Sequence, residues 1–259
     1  RLGNLSTSCQ WEPAMPGYRL FVALHVACGV VALVSFWTAA WLRKGSPRHR
    51  LVGRVFLLAM CGILASGLPM TVHFLQTGRT IAAAFLGYLL VITGNAMWMA
   101  WRAVTDKRDW RAMVARPAWR AWTLATLASG GGVAVLGLFL GEALFVGFSS
   151  IGLVLGVQML QFARRGPRHA NWHVVQHYQA MLGCGIATHV AFLSIAMRPA
   201  WAWLRTHAAL PEQLAQLFPW FAPVAVAVVA GLWLDRKYAR RAPRRPANPA
   251  TPTAVTRSP

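Results

Sequence analysis

The chain has 259 residues, of which 56% are hydrophobic and only 12% charged, and its mean hydropathy is +0.44. So much apolar surface is a membrane protein's composition and excludes an ordinary water-soluble core. The formal charge of +20 comes from 26 Lys and Arg against six Asp and Glu. These basic residues stand between apolar runs and not along one amphipathic face, which argues against nucleic acid as partner and for a lipid bilayer with an anionic inner leaflet.

In chain order, seven apolar runs each approach the roughly 20 residues that a helix needs to cross about 30 Å of hydrocarbon. They cover Tyr18 to Leu42, Val52 to Gln76, Ile81 to Trp101, Ala121 to Leu140, Ala143 to Phe162, Trp172 to Met197 and Leu217 to Leu234. The expected fold is therefore all-α, a polytopic bundle of about seven transmembrane helices over residues 18–238. A short external segment, 1–17, without a signal-peptide pattern, precedes it. A basic tail, 239–259, follows; its RRAPRRPANPATPTAVTRSP stretch has no apolar periodicity and is expected to be disordered near lipid headgroups.

The basic residues orient the bundle. Arg43, Lys44, Arg48, Arg50 and Arg54 surround the first connection, Arg102 to Arg120 the third, Arg164, Arg165 and Arg168 the fifth, and Arg236 to Arg257 follow the last run. The alternate connections hold only Arg1, Arg19, Arg79, Arg198 and Arg205. Under the positive-inside rule the N-terminus is outside and the C-terminus cytoplasmic. The fourth and fifth runs, joined only by Gly141-Glu142, must be neighbours.

Chemistry concentrates between Gly166 and Phe192. With Pro167 in a first helical turn, His169, His173 and His177 recur every fourth residue and share one stripe. His189 follows where the sequence is almost wholly apolar, and an imidazole there must find a partner. The loop from Arg43 to His49 echoes the one from Arg164 to His169: each ends a helix with glycine and starts the next with proline. Two independent solutions to the same tight basic turn explain the echo more simply than a duplication does. Topology assigns His25, His73 and His189 to the outer half, where they could converge, and His49, His173 and His177 to the cytoplasmic half.

Two imidazoles from different helices at one depth are what a b-type haem requires. The candidate cofactor-binding residues are His25, His49, His73, His173, His177 and His189, with Arg50 and Arg54 as partners for propionates or for an anionic lipid. His177 and His189 stand about 120° apart around their helix, so one haem is easier to build than two. A transition metal is a second possibility, held by His25, His49, His173 and His177. Beside each chemical role stands a packing role. His169 and His73 can reach water, His49 can meet phosphate headgroups, and Asn95, Gln158 or a carbonyl can satisfy a buried imidazole.

Other functions are argued against. Glu12, Asp106, Asp109, Glu142, Glu212 and Asp235 all fall in loops or at helix ends, leaving no mid-membrane carboxylate for an ion pump. Lys44, Lys107 and Lys237 lie at the cytoplasmic ends, which rules out a retinal Schiff base. No adjacent histidine pair, phosphate-binding glycine loop or nucleophile elbow occurs, and Ser129-Gly130-Gly131-Gly132 fits close helix packing. Cys9, Cys28, Cys61 and Cys184 lack CxxC spacing; the last three read as small packing residues. The 13 Trp are mostly a membrane-interface signal and not a cofactor box.

His25 with Gly29, Lys44-Gly45, His49-Arg50, Gly53-Arg54 and Met60, then His177, Met181, Gly183 and Ala191-Phe192, resemble the bacterial multi-pass membrane proteins catalogued as domain of unknown function 2306. The likeness spans roughly Leu24 to Phe192. It implies a multi-pass protein of the bacterial inner membrane with His25, His49 and His177 as shared polar positions, and it implies no activity. In that family a small residue stands near the position of His189. Two functional readings stay open: a haem- or quinone-linked redox protein with a redox partner, and a non-enzymatic small-molecule or metal carrier. An accessory subunit of a membrane complex is a third.

Overall fold

A computed structural model of the chain describes residues 16–207 and 211–239. The expected external segment and basic tail lie outside the described residues, apart from positions 16, 17 and 239. All regular structure among the described residues is helical: α1 (Pro16–Trp41), α2 (Pro47–Gln76), α3 (Thr80–Thr105), α4 (Trp110–Ala115), α5 (Pro117–Leu140), α6 (Ala143–Arg165), α7 (Trp172–Ala191), α8 (Arg198–His207) and α9 (Glu212–Tyr238). A π-helical turn, Phe192–Ala196, extends α7. Seven of these helices are long and apolar enough to cross a membrane, which is the architecture of a multi-pass bundle. The short α4 and α8 lie in connections where the apolar pattern foretold no helix.

Local chemistry sets the boundaries. Ser46 caps α2 from an extended conformation, its hydroxyl accepting from the His49 N–H at 3.2 Å, and Pro47 occupies the first turn, where its missing N–H costs nothing. Asp109 caps α4 by accepting from the N–H groups of Arg111 and Ala112 at 2.8 and 3.2 Å. Gly141 ends α5 in the left-handed conformation, at φ 70°, and lets the chain reverse at once into α6. Most spanning helices begin or end several residues beyond the apolar runs, because capped turns carry the helix into the basic connections.

One expectation is corrected here. Gly166 ends α6 at φ 74°, as the echo with Gly45 requires, but Pro167 does not open the next helix. The helix α7 begins only at Trp172, so His169 lies in the loop before it, and the stripe holds His173 and His177 alone.

The helix α3 is the centre of the bundle, packing on α2, α5 and α7, while α1 pairs with α2, α5 with α6 and α7 with α9. Three clusters of buried side chains follow its length. Ala32, Phe56, Ala59, Met60, Ala96 and Cys184 fill the space between α1, α2, α3 and α7. Met99, Met113, Trp119, Met159, Phe162 and Trp172 form a second cluster that α4 helps to close. Phe85, Tyr88, Val133, Phe148 and Val190 form a third, with Trp220 and Phe221 of α9 against it. Trp119 and Trp172 are thus core residues and not interface markers. Elsewhere the long helices turn Leu, Val and Phe outward, as lipid contact requires.

The α5 and α6 pair is held by absent side chains. A Cβ on Gly130 would meet the Leu153 nitrogen at 3.2 Å, and one on Gly152 would meet the Tyr88 ring and hydroxyl at 2.9 Å. The Tyr88 hydroxyl donates to the Phe148 carbonyl at 2.6 Å and accepts from the Gly152 N–H at 3.0 Å. It therefore sits between the two groups that close one turn of α6.

Candidate functional site

The end of the bundle where α1 stops and α2 begins is called the basic end. The last carbonyls of α1 have no helical partners, and side chains supply them. Lys44 Nζ donates to the carbonyls of Ala39 and Ala40 at 2.9 and 2.7 Å, and His49 Nδ1 lies 3.1 Å from the Ala39 carbonyl. A carbonyl only accepts, so Nδ1 of His49 carries the proton. The Nε2 of the neutral ring is then a bare lone pair.

His177 repeats this arrangement from α7. Its Nδ1 lies 3.0 Å from the Ala100 carbonyl of α3, which again fixes the tautomer and leaves Nε2 as the acceptor. No hydrogen-bond partner of either Nε2 occurs among the described residues. His49, His173 and Lys44 lie close enough to His177 to affect its titration, and Lys237, in the last turn of α9, stands in the same relation to Lys44. Lys107 stands near His173 in the same way. Desolvation against the helix end pushes the Lys44 ammonium below its usual 10.5, and the Lys237 charge adds to the effect.

No carboxylate among the described residues forms an ion pair with these groups. The ion pairs among the described residues are those of Asp106 with Arg102 and with Arg116, which tie the end of α3 to the start of α5. The nearest acid along α9, Asp235, accepts from the Tyr178 hydroxyl and from Gln179 Nε2 at 3.4 Å. With Asn171 donating to the Tyr238 carbonyl at 2.6 Å, these bonds fasten α9 to α7.

The other candidates are placed elsewhere. Nδ1 of His25 is 3.0 Å from Ser66 Oγ. Since that hydroxyl donates to the Gly62 carbonyl at 2.6 Å, the imidazole is again the donor. The His73 ring lies against Tyr18, centroids 4.3 Å apart and planes tilted by 37°. Nε2 of His189 accepts from Trp37 Nε1 at 2.9 Å, and its Nδ1 lies 2.7 Å from the Gly185 carbonyl, so both ring nitrogens are used. No hydrogen bond or ring contact joins any two of these three histidines, and the convergence foreseen for them does not occur. Arg50 and Arg54 line an outward-facing groove with Pro47 and Leu51, on the far side of α2 from the buried cluster of Phe56 and Met60.

The residues present do not fit a haem. Phe56, Met60 and Cys184, all 0% exposed, fill the interior between α1, α2, α3 and α7, where a porphyrin slot would lie. Arg50 and Arg54 lie exposed on the groove with Pro47 and Leu51, and among the described residues no contact joins either to His177. Among the described residues no three His, Cys, Asp or Glu side chains converge, so the set His25, His49, His173 and His177 is not assembled around one metal. Cys28, Cys61 and Cys184 are free thiols.

Two members of the basic cluster, Lys44 and Lys237, belong to the positive-inside signal in the sequence and were legible only as topology. Asn95, a possible partner for a histidine, instead donates to Thr126 Oγ1 at 2.9 Å and Met159 Sδ at 3.2 Å. No family model matches the chain, and neither a curated protein nor a solved structure matches it.

Proposed function

We propose that this chain is a non-enzymatic binding or carrier protein of the bacterial inner membrane that takes a small anion at the basic end. The observation that carries this reading is the set Lys44, His49, His173, His177 and Lys237, drawn from four parts of the bundle toward one another with no ion pair to any of them among the described residues. Carboxylate or phosphate oxygens would answer the two ammonium groups directly. The imidazoles would join them on protonation; His49 and His177 have their Nδ1 protons already committed to carbonyls and only Nε2 to offer. The positive-inside bias puts this end in the cytoplasm and the N-terminus outside. The likeness to the family catalogued as domain of unknown function 2306 fits the same location and two of the same residues, His49 and His177.

The test uses detergent-purified protein titrated with inorganic phosphate and with acetate while the thermal midpoint is followed. The midpoint should rise for the wild type and stay still for Lys44→Gln/His177→Gln. A wild type indifferent to both anions, or a double variant that responds equally, overturns the reading. A Soret band or stoichiometric metal in the purified protein would return the redox reading to first place.

A quinol is the second reading, favoured by the paired Nε2 lone pairs of His49 and His177, which could accept from its two hydroxyls. A quinol analogue that stabilises the protein where phosphate does not would decide for it.

A further inference from the structure

Outside the site above, and independent of it, the first turns of α2 carry a second feature. Arg50 and Arg54 lie one turn apart on the helix surface and line a groove of about 310 Å³ with Pro47 and Leu51. Both arginines are exposed, and neither has an ion pair among the described residues. Below them the same side of α2 continues as exposed Leu51, Val55, Leu58 and Leu68, a stripe fit only for hydrocarbon.

The length of the helix fixes the depth of the two guanidiniums. The 30 residues of α2 rise about 45 Å, whereas the hydrocarbon of a bilayer is about 30 Å thick. The surplus, roughly ten residues at this rise, carries the helix into the headgroup layer. Beyond Arg54, α2 holds no Lys, Arg, Asp or Glu, so the surplus falls at its N-terminal end, where both arginines lie. An arginine on a lipid-facing stripe turns its head toward the phosphate layer, because hydrocarbon cannot solvate it. Two such heads one turn apart present paired donors for non-ester phosphate oxygens, with the N-terminal dipole of α2 adding to their field.

We propose that this groove is a binding site for one anionic phospholipid, its phosphodiester held by Arg50 and Arg54 and its acyl chains lying along Leu51, Val55 and Leu58. The joining of a cationic clamp to an apolar track selects an amphiphile over a free anion. The exposed side of Leu51, in contact with both the groove and the track, is where headgroup and chain would meet.

The full chain in nanodiscs tests this. Protein is placed in phosphatidylcholine with a minor fraction of phosphatidylglycerol, and lipids retained on release are counted by native mass spectrometry. The wild type should retain one phosphatidylglycerol, Arg50→Gln/Arg54→Gln should retain it about tenfold less, and Arg50→Lys/Arg54→Lys should be intermediate. Arg108→Gln/Arg111→Gln, which removes the same charge elsewhere at the basic end, should retain it fully and shows that the effect is not one of net charge. Equal loss in that control overturns the proposal, as does undiminished retention in Arg50→Gln/Arg54→Gln. So does wild-type protein that holds phosphatidylcholine equally well. A third arm adds millimolar inorganic phosphate to pure phosphatidylcholine discs. If phosphate alone raises the thermal midpoint as much as phosphatidylglycerol does, through the same two arginines, the groove serves free phosphate and the lipid assignment falls.

Discussion

Tyr88 and Gly152 give the sharpest quantitative test of how the bundle is held together. The Tyr88 hydroxyl bridges the Phe148 carbonyl and the Gly152 N–H, two groups that an α-helix pairs with each other. In Tyr88→Phe both of the hydroxyl's bonds vanish, while the carbonyl and the N–H keep each other within helical pairing reach, so neither is left unsatisfied. Hydrogen bonds inside membrane bundles are worth about 0.6 kcal/mol on average and up to about 1.7, which sets the expected cost. Gly152→Ala is different in kind. Its new methyl would sit 2.9 Å from both the hydroxyl and a ring carbon of Tyr88, a side chain only 2% exposed and packed against Phe85 and Phe148. Overpacking at such a place costs about 1 to 3 kcal/mol, and the displaced tyrosine also forfeits its bonds. Because the hydroxyl is part of the obstruction, the double variant should be less destabilised than the sum of the two singles. Reversible unfolding in mixed micelles measures all three. Strict additivity, or a Tyr88→Phe cost as large as that of Gly152→Ala, would refute the bridging role.

Three further outcomes are expected. Asn95, 0% exposed, donates to Thr126 and Met159 while its carbonyl oxygen has no partner among the described residues. Asn95→Leu/Thr126→Val should therefore change stability by less than about 1 kcal/mol, whereas Asn95→Asp should cost several times more; denaturation in the same micelles would show it. Tyr178→Phe removes the donor that Asp235 holds, and a bond to a charged group is worth about 1.5 to 3 kcal/mol. Hydrogen exchange should rise in the last turns of α9 and not in α5, and unchanged exchange there would exclude the latch. The lowered pKa of Lys44 means that its charge is disfavoured in the fold. Its contribution to stability is full above 10.5 and is lost as the pH falls through the folded-state value. Measured against Lys44→Met, which lacks this group, the wild-type thermal midpoint should therefore gain with pH across that alkaline window, even if loss of the α1 cap lowers the variant's midpoint throughout.

Composition and periodicity were sufficient for the solvent and the helix count, because a backbone in hydrocarbon has to bond within its own segment and long apolar runs leave it one way to do so. The turns were legible too, where Gly45, Ser46-Pro47 and Gly141 carry their own conformational preferences. His169 was misplaced on α7 because a proline after glycine permits a helix start without compelling one. Its helix waits for Trp172, whose ring is needed in the cluster with Phe162 and Met159. The partners of the histidines were out of reach. His25 finding Ser66, His189 finding Trp37 and His177 finding Ala100 depend on which face of each helix meets which neighbour. In apolar segments that repeat on every side, the sequence does not set that rotation. It is decided when small residues such as Gly152 and Cys184 let particular helices approach, and only then do Lys44, His49 and His177 come together at one end while Arg50 and Arg54 are left exposed on the outside of α2.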